Sequence, residues 1–242
     1  IASIEGAQEV VALGGEGVGL LRSEFLFSGR KEPPSEDEQT AVYRAIAETL
    51  GNDRTLIVRT LDVGGDKPLS YMPTPKEDNP FLGVRGLRLS LLHPDVFRSQ
   101  IRAVLRAADK TKVRIMFPMV TVLEELLQAK RIVEEEQKNL DVSCAIETGI
   151  MIEVPAAAMM ADILAPYVDF FSVGTNDLTQ YTMASDRGNA LLSPLSDALH
   201  PAVLRMIRAT VDGAEKHGKW VGVCGAMAGD ETAVPVLGGL GV

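Results

Sequence analysis

Short apolar runs alternate with amphipathic segments along most of this chain. The runs have the length of buried strands and lie at Gly17–Leu21, Thr55–Val58, Val113–Val120, Gly149–Val154, Asp169–Val173 and Trp220–Val223. Segments with helical spacing separate them, including one opened by the capping-box pair Ser35 and Glu38 and one opened by Pro94. This alternation predicts parallel strands joined by right-handed crossovers, which is the α/β class.

Local features of two helices are also predicted. Thr121 and Glu124 form a second capping box, before a helix that continues into the charged segment 134–138. We expect that segment to face solvent, and we expect the same of three arginines in the helix opened by Pro94, namely Arg98, Arg102 and Arg106.

Chemically active side chains follow almost every predicted strand. Six of them lie at or just beyond the carboxyl ends of strands, and two more lie in connecting segments: Arg22, Arg59, Glu153, Asn176, Asp177 and Cys224, with Arg85 and Arg187. A doubly wound sheet and a (β/α)8 barrel of the TIM type both fit the alternation. Polar groups after nearly every strand, without a dinucleotide-binding fingerprint, favour the TIM-type barrel.

The polar stretch after Val173 has two interpretations of about equal weight when it is taken alone. Asn176 and Asp177 can present ligand-binding groups at the carboxyl end of a strand. The same residue types also cap helices and make turns. The other strand ends shift the balance toward a ligand site, because parallel strands place their carboxyl ends on one face.

Composition restricts the possible functions. The 242 residues carry a formal net charge of −9, so we expect no nucleic-acid partner and no membrane association through an anionic surface. No apolar run is long enough to span a bilayer. The two cysteines, Cys144 and Cys224, form neither a disulfide framework nor a zinc site with the three histidines, which indicates a reducing, cytoplasmic compartment.

The strand-end residues suit a small, highly anionic phosphorylated ligand. Arginine guanidinium groups bind phosphate and carboxylate oxygens in a forked geometry. Two carboxylates from neighbouring strands can hold a hard divalent cation such as Mg²⁺. Cys224 can donate a proton to a carbanion or enolate, or it can be an inert buried thiol.

Several motifs, in order, resemble a known family across essentially the whole chain. They are GVGLLRSEFLF, IVRTLDVGGDKPL, NPFLGVRGLRL, RIMFPMV, MIEVPAAA, FFSVGTNDLTQYTMASDRGN and WVGVCG. These motifs are similar to those of the phosphoenolpyruvate-binding barrel of enzyme I, the phosphoenolpyruvate–protein phosphotransferase of the bacterial sugar phosphotransferase system. The resemblance implies a phosphoenolpyruvate-utilising barrel domain over residues 1–242, truncated at both ends, with the last strand and helix missing.

The resemblance also implies roles for individual residues. Arg22 and Arg59 match phosphate-binding positions, and Arg187 and Asn176 match substrate-binding positions, to which Arg85 contributes. Glu153 and Asp177 match the Mg²⁺ ligands, and Asp177 also lies at the substrate. Cys224 matches the acid that protonates the enolate of pyruvate, and Lys67 is a weaker substrate-binding candidate.

The function implied is Mg²⁺-dependent phosphoryl transfer from phosphoenolpyruvate to a histidine of a separate domain, with release of pyruvate, in the cytoplasm. Through that histidine the partner is a histidine-containing phosphocarrier protein, and we expect a homodimer in the intact protein. Two alternatives stay open: the barrel of a pyruvate, phosphate dikinase or phosphoenolpyruvate synthase relative, and a non-catalytic module that senses phosphoenolpyruvate. A multidomain fusion that contains an enzyme I module would show the same motifs.

Two departures from the family pattern affect these expectations. The acceptor histidine and the carrier-binding domain are not in this chain, since His93, His200 and His217 flank helix ends and are interpreted as structural. Ala226 stands where the family usually has an acidic residue, two positions after Cys224. The sugar, the carrier protein and the oligomeric state of this segment are not predicted.

Overall fold

The computed structural model describes residues 1–65, 69–108, 112–142 and 146–242. Its strands are β1 (Gly17–Arg22), β2 (Thr55–Arg59), β3 (Lys112–Phe117), β4 (Thr148–Ile152), β5 (Phe170–Val173) and β6 (Trp220–Val223). Its helices are α1 (Ile4–Ala12), α2 (Glu24–Phe27), α3 (Glu36–Leu50), α4 (Leu87–Leu92), α5 (Pro94–Ala107), α6 (Leu123–Asn139), α7 (Pro155–Met159), α8 (Ala161–Leu164), α9 (Thr175–Met183), α10 (Pro201–Glu215) and α11 (Val234–Leu240). Short 3₁₀ turns lie at Pro80–Leu82, Ala165–Tyr167, Ala190–Leu195 and Ala226–Gly229.

The strand order follows the chain order, β1-β2-β3-β4-β5-β6. The pairs β1–β2, β2–β3, β4–β5 and β5–β6 are parallel. A doubly wound sheet reverses its strand order at a switch point, whereas a TIM-type barrel does not. The predicted α/β class and the barrel-type order are therefore confirmed.

The chain divides into two compact units: Ile1–Pro118 with Leu127–Thr148, and Met119–Leu126 with Gly149–Val242. In the first unit, Tyr43 and Ile46 of α3 and Ile101 of α5 are fully buried, and Phe97 packs edge-on against Phe117 with ring centroids 6.2 Å apart. In the second, α9 and α10 bury Leu178, Val203 and Ile207, and Phe170 stacks on Trp220 at 4.8 Å. The organisation of residues 1–242 as one domain stays a prediction.

The capping prediction is confirmed before α3, and the glutamate predicted before α6 is wrong. Ser35 Oγ accepts from the Glu38 N–H at 3.2 Å, and the Glu38 carboxylate accepts from the Ser35 N–H at 2.8 Å. Before α6, the carboxylate that accepts from the Thr121 N–H, at 2.8 Å, belongs to Glu125 and not to Glu124. Glu125 reaches back one residue further than a capping box requires.

The prediction that the charged helix faces are solvated is confirmed for Glu134, Glu135 and Lys138, which are exposed, and is wrong for Glu136. Glu136 is only 2% exposed. Its carboxylate accepts from Arg98 Nη1 at 2.5 Å and from Arg102 Nη1 at 3.4 Å. Arg106 Nη1 bonds Glu36 at 2.9 Å. Sequence periodicity shows which face of a helix is polar, but it does not show that another helix carries the opposite charges against that face.

Candidate functional site

The first unit aligns two of the predicted arginines at the carboxyl ends of β1 and β2. The β1–β2 register pairs Arg22 with Arg59. An irregularity between Val18 and Leu21 allows both of these apolar residues to be buried although they are three positions apart. Arg22 is exposed and Arg59 is buried. Neighbouring strands therefore present two guanidinium groups, one to solvent and one to the interior of the unit.

Two carboxylates hold the Arg59 guanidinium in place. Arg59 Nη2 lies 2.9 Å from Glu24 Oε1, and Arg59 Nη1 lies 2.9 Å from Asp62 Oδ2. Glu24 Oε1 also accepts from the Asp62 N–H at 3.2 Å. The side chain cannot rotate freely, because both of its terminal nitrogens are engaged and it is only 11% exposed.

Arg85 joins the same group through Asp62. Its Nη2 lies 3.2 Å and 3.3 Å from the two Asp62 carboxylate oxygens, and its Cζ lies 5.8 Å from the centre of the Phe81 ring. Gly64 permits this approach, because a Cβ there would lie 2.6 Å from the Val84 carbonyl oxygen and the residue has a φ of +113°. A distant loop thus delivers a further arginine to the end of β2.

Three arginines and two carboxylates make up this cluster, so its named side chains sum to one positive charge. The carboxylates orient Arg59 and Arg85, and Arg22 adds an exposed cation beside them. Such an arrangement suits an anion with several oxygens, because guanidinium groups donate in a fixed fork.

In the second unit, Glu153 follows β4 and is 1% exposed. Its Oε1 accepts from the Met119 N–H at 2.6 Å, and Met119 has a φ of +56°, which is unusual for a residue with a side chain. The β4–β5 register pairs Ile152 with Val173, so Glu153 lies beside Gly174. A Cβ at Gly174 would lie 3.2 Å from Glu153 Oε2. One carboxylate oxygen is thus fixed by a backbone donor, and the other lies beside a residue without a side chain.

The predicted polar loop after β5 is in fact the start of α9. This helix begins at Thr175, so Asn176 and Asp177 occupy its first turn, where the helix dipole favours a negative charge. Asp177 is 6% exposed, and its Oδ2 lies 3.4 Å from Arg187 Nη1. The Arg187 backbone N–H donates to Gln180 Oε1 at 3.0 Å. The structure therefore brings Asp177 and Arg187 together, although Arg187 was predicted to contact the substrate and not this carboxylate.

Glu153 and Asp177 carry the type of oxygen ligand that Mg²⁺ prefers. Both are buried carboxylates, and they follow the neighbouring strands β4 and β5. Across the described parts of the chain, no group of three or more His, Cys, Asp or Glu side chains is placed to hold a metal ion. Mg²⁺ does not need such a group, since it commonly takes one or two carboxylates and completes its shell with water and substrate oxygens.

Cys224 follows β6 and is half-buried. Its N–H donates to the Val173 carbonyl at 3.0 Å, and its Sγ lies 3.6 Å from the same oxygen. A thiol has to carry its proton to donate there. The next contact along the chain joins the Ala226 N–H to Asn176 Oδ1 at 3.0 Å.

Three residues that organise these groups were not predicted. Glu24 and Asp62 lie within motifs already quoted, but nothing in their spacing shows that they pair with Arg59. Met119 gives no signal apart from its position after Pro118. Lys67 and Cys144 lie outside the described residues. His200 is structural as predicted, because its Nδ1 accepts from the Ala202 N–H at 3.2 Å at the start of α10.

Comparison with solved structures gives the fold. The chain is similar to a HpcH/HpaI aldolase/citrate lyase family protein from Burkholderia cenocepacia J2315, with a TM-score of 0.59 and 16% identity over 99% of this chain and 81% of that one. It is also similar to a citrate lyase from Burkholderia xenovorans LB400, with a TM-score of 0.56, 16% identity and coverage of 91% and 59%. These neighbours have TIM-barrel-like folds, which agrees with the predicted fold.

Sequence comparison gives the family. The chain is 54% identical to a multiphosphoryl transfer protein of Rhodobacter capsulatus, over 100% of this chain and 29% of that protein. It is 50% identical to a phosphoenolpyruvate-protein phosphotransferase of Staphylococcus aureus, over 96% of this chain and 41% of that protein. The chain thus spans less than half the length of these relatives.

The model of one protein family, described as "PEP-utilising enzyme, PEP-binding domain", matches residues 1–242. PEP stands here for phosphoenolpyruvate. The match covers the whole chain, and it includes both the arginine cluster of the first unit and the buried carboxylates of the second. This chain belongs to the family of PEP-binding domains of PEP-utilising enzymes.

Proposed function

We propose that this chain binds phosphoenolpyruvate with Mg²⁺ as part of an enzyme that transfers the phosphoryl group to a histidine of a separate domain and releases pyruvate. The observation that carries the proposal is the arginine cluster at the ends of β1 and β2, in a chain that belongs to a PEP-binding family. The names of the similar relatives support phosphoryl transfer as the reaction.

The proposed roles follow the chemistry of each unit. In the first unit, Arg22, Arg59 and Arg85 bind the phosphoryl and carboxylate oxygens and neutralise the charge that these oxygens carry during transfer. In the second unit, Glu153 and Asp177 hold Mg²⁺, whose charge would lower the repulsion between the phosphoryl oxygens and an incoming nucleophile. Asn176 and Arg187 contact the substrate.

Cys224 completes the reaction in this proposal. When the bond between phosphorus and the enolate oxygen breaks and a bond to the acceptor histidine forms, the enolate of pyruvate remains. The Cys224 thiol then gives its proton to the methylene carbon, which yields pyruvate and a thiolate. The position of the thiol supports this role, because its Sγ lies 3.6 Å from the Val173 carbonyl oxygen, to which a protonated thiol can donate.

The proposed setting is that of the first step of a sugar phosphotransferase system. A histidine-containing phosphocarrier protein would accept the phosphoryl group from the separate domain, and the intact protein would act as a homodimer in the cytoplasm. Within the described residues, no helix has both the length and the apolar character needed to cross a membrane.

Calorimetric titration of the intact protein with phosphoenolpyruvate in the presence of Mg²⁺ tests the proposal. Arg22→Ala is the informative variant, because this arginine is exposed and its loss does not break the buried pairs of Arg59. We expect affinity to fall by about tenfold, as for the loss of a charge-assisted hydrogen bond. Arg131→Ala, at another exposed arginine in the same unit, is the control and should bind like the parent. Absence of binding by the folded parent, or equal affinities of the two variants, would refute the proposal.

A further inference from the structure

Residues 224–226 run alongside residues 173–176 in the second unit, and two backbone donors fix them there. The Cys224 N–H donates to the Val173 carbonyl at 3.0 Å, and the Ala226 N–H donates to Asn176 Oδ1 at 3.0 Å. Gly225, between them, lies directly against Thr175. A Cβ at Gly225 would lie 2.0 Å from Thr175 Oγ1 and 2.7 Å from the Thr175 backbone nitrogen. Since the second atom is backbone and cannot turn aside, only glycine permits this approach.

The contact at Ala226 determines which end of the Asn176 carboxamide points away from the loop. A backbone N–H can only donate, so the atom facing it has to be the carboxamide oxygen. The NH₂ group of Asn176, which carries two donors, is therefore directed elsewhere. Asn176 is half-buried in the first turn of α9, beside the carboxylate of Asp177.

From this geometry, and on the basis of the proposed function, we infer that Gly225 and the Ala226 N–H are positioning elements that turn the Asn176 NH₂ group toward the anionic substrate. An amide has one donating end and one accepting end. If the accepting end faced phosphoryl or carboxylate oxygens, it would repel them, whereas the donating end binds them. The loop that carries Cys224 thereby also sets the polarity of a substrate contact on the neighbouring helix.

The inference gives a reason why alanine is compatible with position 226. The contact uses the backbone and makes no demand on the side chain, which is exposed. Any residue with a backbone N–H satisfies it, and proline alone does not. An acidic side chain at this position is therefore not required to orient Asn176.

Ala226→Pro is the direct test, because it removes the donor and little else. Ala226 is the first residue of the 3₁₀ turn Ala226–Gly229, where a proline φ is tolerated. We expect the intact protein with Ala226→Pro to bind phosphoenolpyruvate, with Mg²⁺ present, about tenfold more weakly, while Ala226→Ser binds like the parent. Gly225→Ala should likewise weaken binding. Gly229→Ala is its control and should bind like the parent, since a Cβ at Gly229 meets nothing within 4 Å.

A double-mutant cycle separates positioning from general damage to the loop. Asn176→Ala alone should weaken binding, and adding Ala226→Pro to it should cost nothing further. If Ala226→Pro weakens binding equally in both backgrounds, the inference is wrong. If Ala226→Pro does not fold, Asn176→Asp still decides, because it keeps an accepting oxygen for the Ala226 N–H and replaces the NH₂ by an anionic oxygen. We expect this variant to bind more weakly than Asn176→Ala, and equal or tighter binding would overturn the inference.

The same measurements distinguish failure of the inference from failure of the proposed function. If the folded parent does not bind phosphoenolpyruvate, the proposed function fails and the inference fails with it. If the parent binds and Ala226→Pro binds equally well, only the inference fails.

Discussion

Among single residues, Glu153 of the second unit has different surroundings at each of its two carboxylate oxygens. Glu153 receives the Met119 N–H on one oxygen and lies beside Gly174 with the other. A side chain of the same shape without the charge should therefore keep the local structure and lose the affinity for a cation. That separation makes Glu153 the clearest position at which to test the metal proposal.

Glu153→Gln should leave the thermal midpoint close to that of the parent, because the glutamine oxygen can still accept from Met119. Affinity for Mg²⁺ in the presence of phosphoenolpyruvate should fall at least about tenfold, the lower limit seen when even an indirect partner of a metal ligand is changed. Calorimetric titration with MgCl₂ measures it. Glu134→Gln, at an exposed glutamate, is the matched control. Unchanged Mg²⁺ affinity in Glu153→Gln would exclude Glu153 as a ligand.

Cys224→Ala should lower the rate of pyruvate formation by about 10²–10⁴-fold, the usual contribution of a positioned proton donor. Binding of phosphoenolpyruvate should be retained, because the backbone contact between Cys224 and Val173 does not use the thiol. A coupled assay for pyruvate, run with the intact protein beside a calorimetric titration, separates the two quantities. Pyruvate formation at the parent rate would show that another group supplies the proton.

Residue types could be predicted from the sequence, but their partners could not. The sequence shows arginines and acidic residues at the ends of the predicted strands, and the structure has strands ending at these positions. Arg59 and Glu24 are 35 positions apart, and their contact depends on the β1–β2 register, which no local pattern specifies. Asp62 was visible three positions after Arg59, yet nothing in the sequence showed that it also binds Arg85.

At the scale of elements, strand and helix ends differ from their predicted positions for local chemical reasons. The apolar run 113–120 predicted a strand ending at Val120, but β3 ends at Phe117. Pro118 has no N–H to continue a ladder, and Met119 has a positive φ. The helix α9 was missed because its first turn is filled by residues that also make turns.

The contact between α5 and α6 through Glu136 should be visible in the pH dependence of stability. Burial raises the pKa of Glu136, but hydrogen bonds from Arg98, Asn139 and Arg102 outweigh it and leave the pKa below the usual 4.5. Since the folded-state pKa is the lower one, ionised Glu136 stabilises the fold above the unfolded-state pKa. This stabilisation is lost as the pH falls through the folded-state pKa.

The free energy of unfolding should therefore decrease below about pH 4.5 more steeply in the parent than in Glu136→Gln. Urea unfolding at a series of acid pH values measures it. Glu134→Gln, two positions earlier on the same helix and exposed, should follow the parent curve. Parallel curves for the parent and Glu136→Gln would show that the ion pairs with Arg98 and Arg102 contribute nothing to the loss of stability at acid pH.

At the scale of the whole molecule, the sequence predicted the order of helices and strands well, because periodicity is a local property that each segment expresses alone. It also favoured the barrel, from the distribution of polar groups after strands. The sequence did not predict the division into two compact units, since that depends on which segments pack together and not on how each one is patterned.

Binding of phosphoenolpyruvate with Mg²⁺ should stabilise the folded chain as a whole. At a ligand concentration of about 100 times the dissociation constant, the gain is about 2.7 kcal/mol. For a domain of this size that corresponds to a rise of roughly 5–10 °C in the midpoint of its thermal transition. Differential scanning calorimetry measures the shift, with pyruvate and Mg²⁺ as the control that lacks the phosphoryl group. A midpoint that does not change at saturating phosphoenolpyruvate would contradict specific binding to the native state.

The irregularity in β1 has a consequence for how this domain can vary in length. Between the paired positions Val18–Leu56 and Leu21–Val58, β1 contains one residue more than β2. Gly19 lies in this interval, is exposed, and has open space where a side chain would be. Loss of one residue there would restore regular pairing and leave Arg22 opposite Arg59. A homologous chain is therefore free to lose one residue in the middle of β1 without moving the arginine at its end.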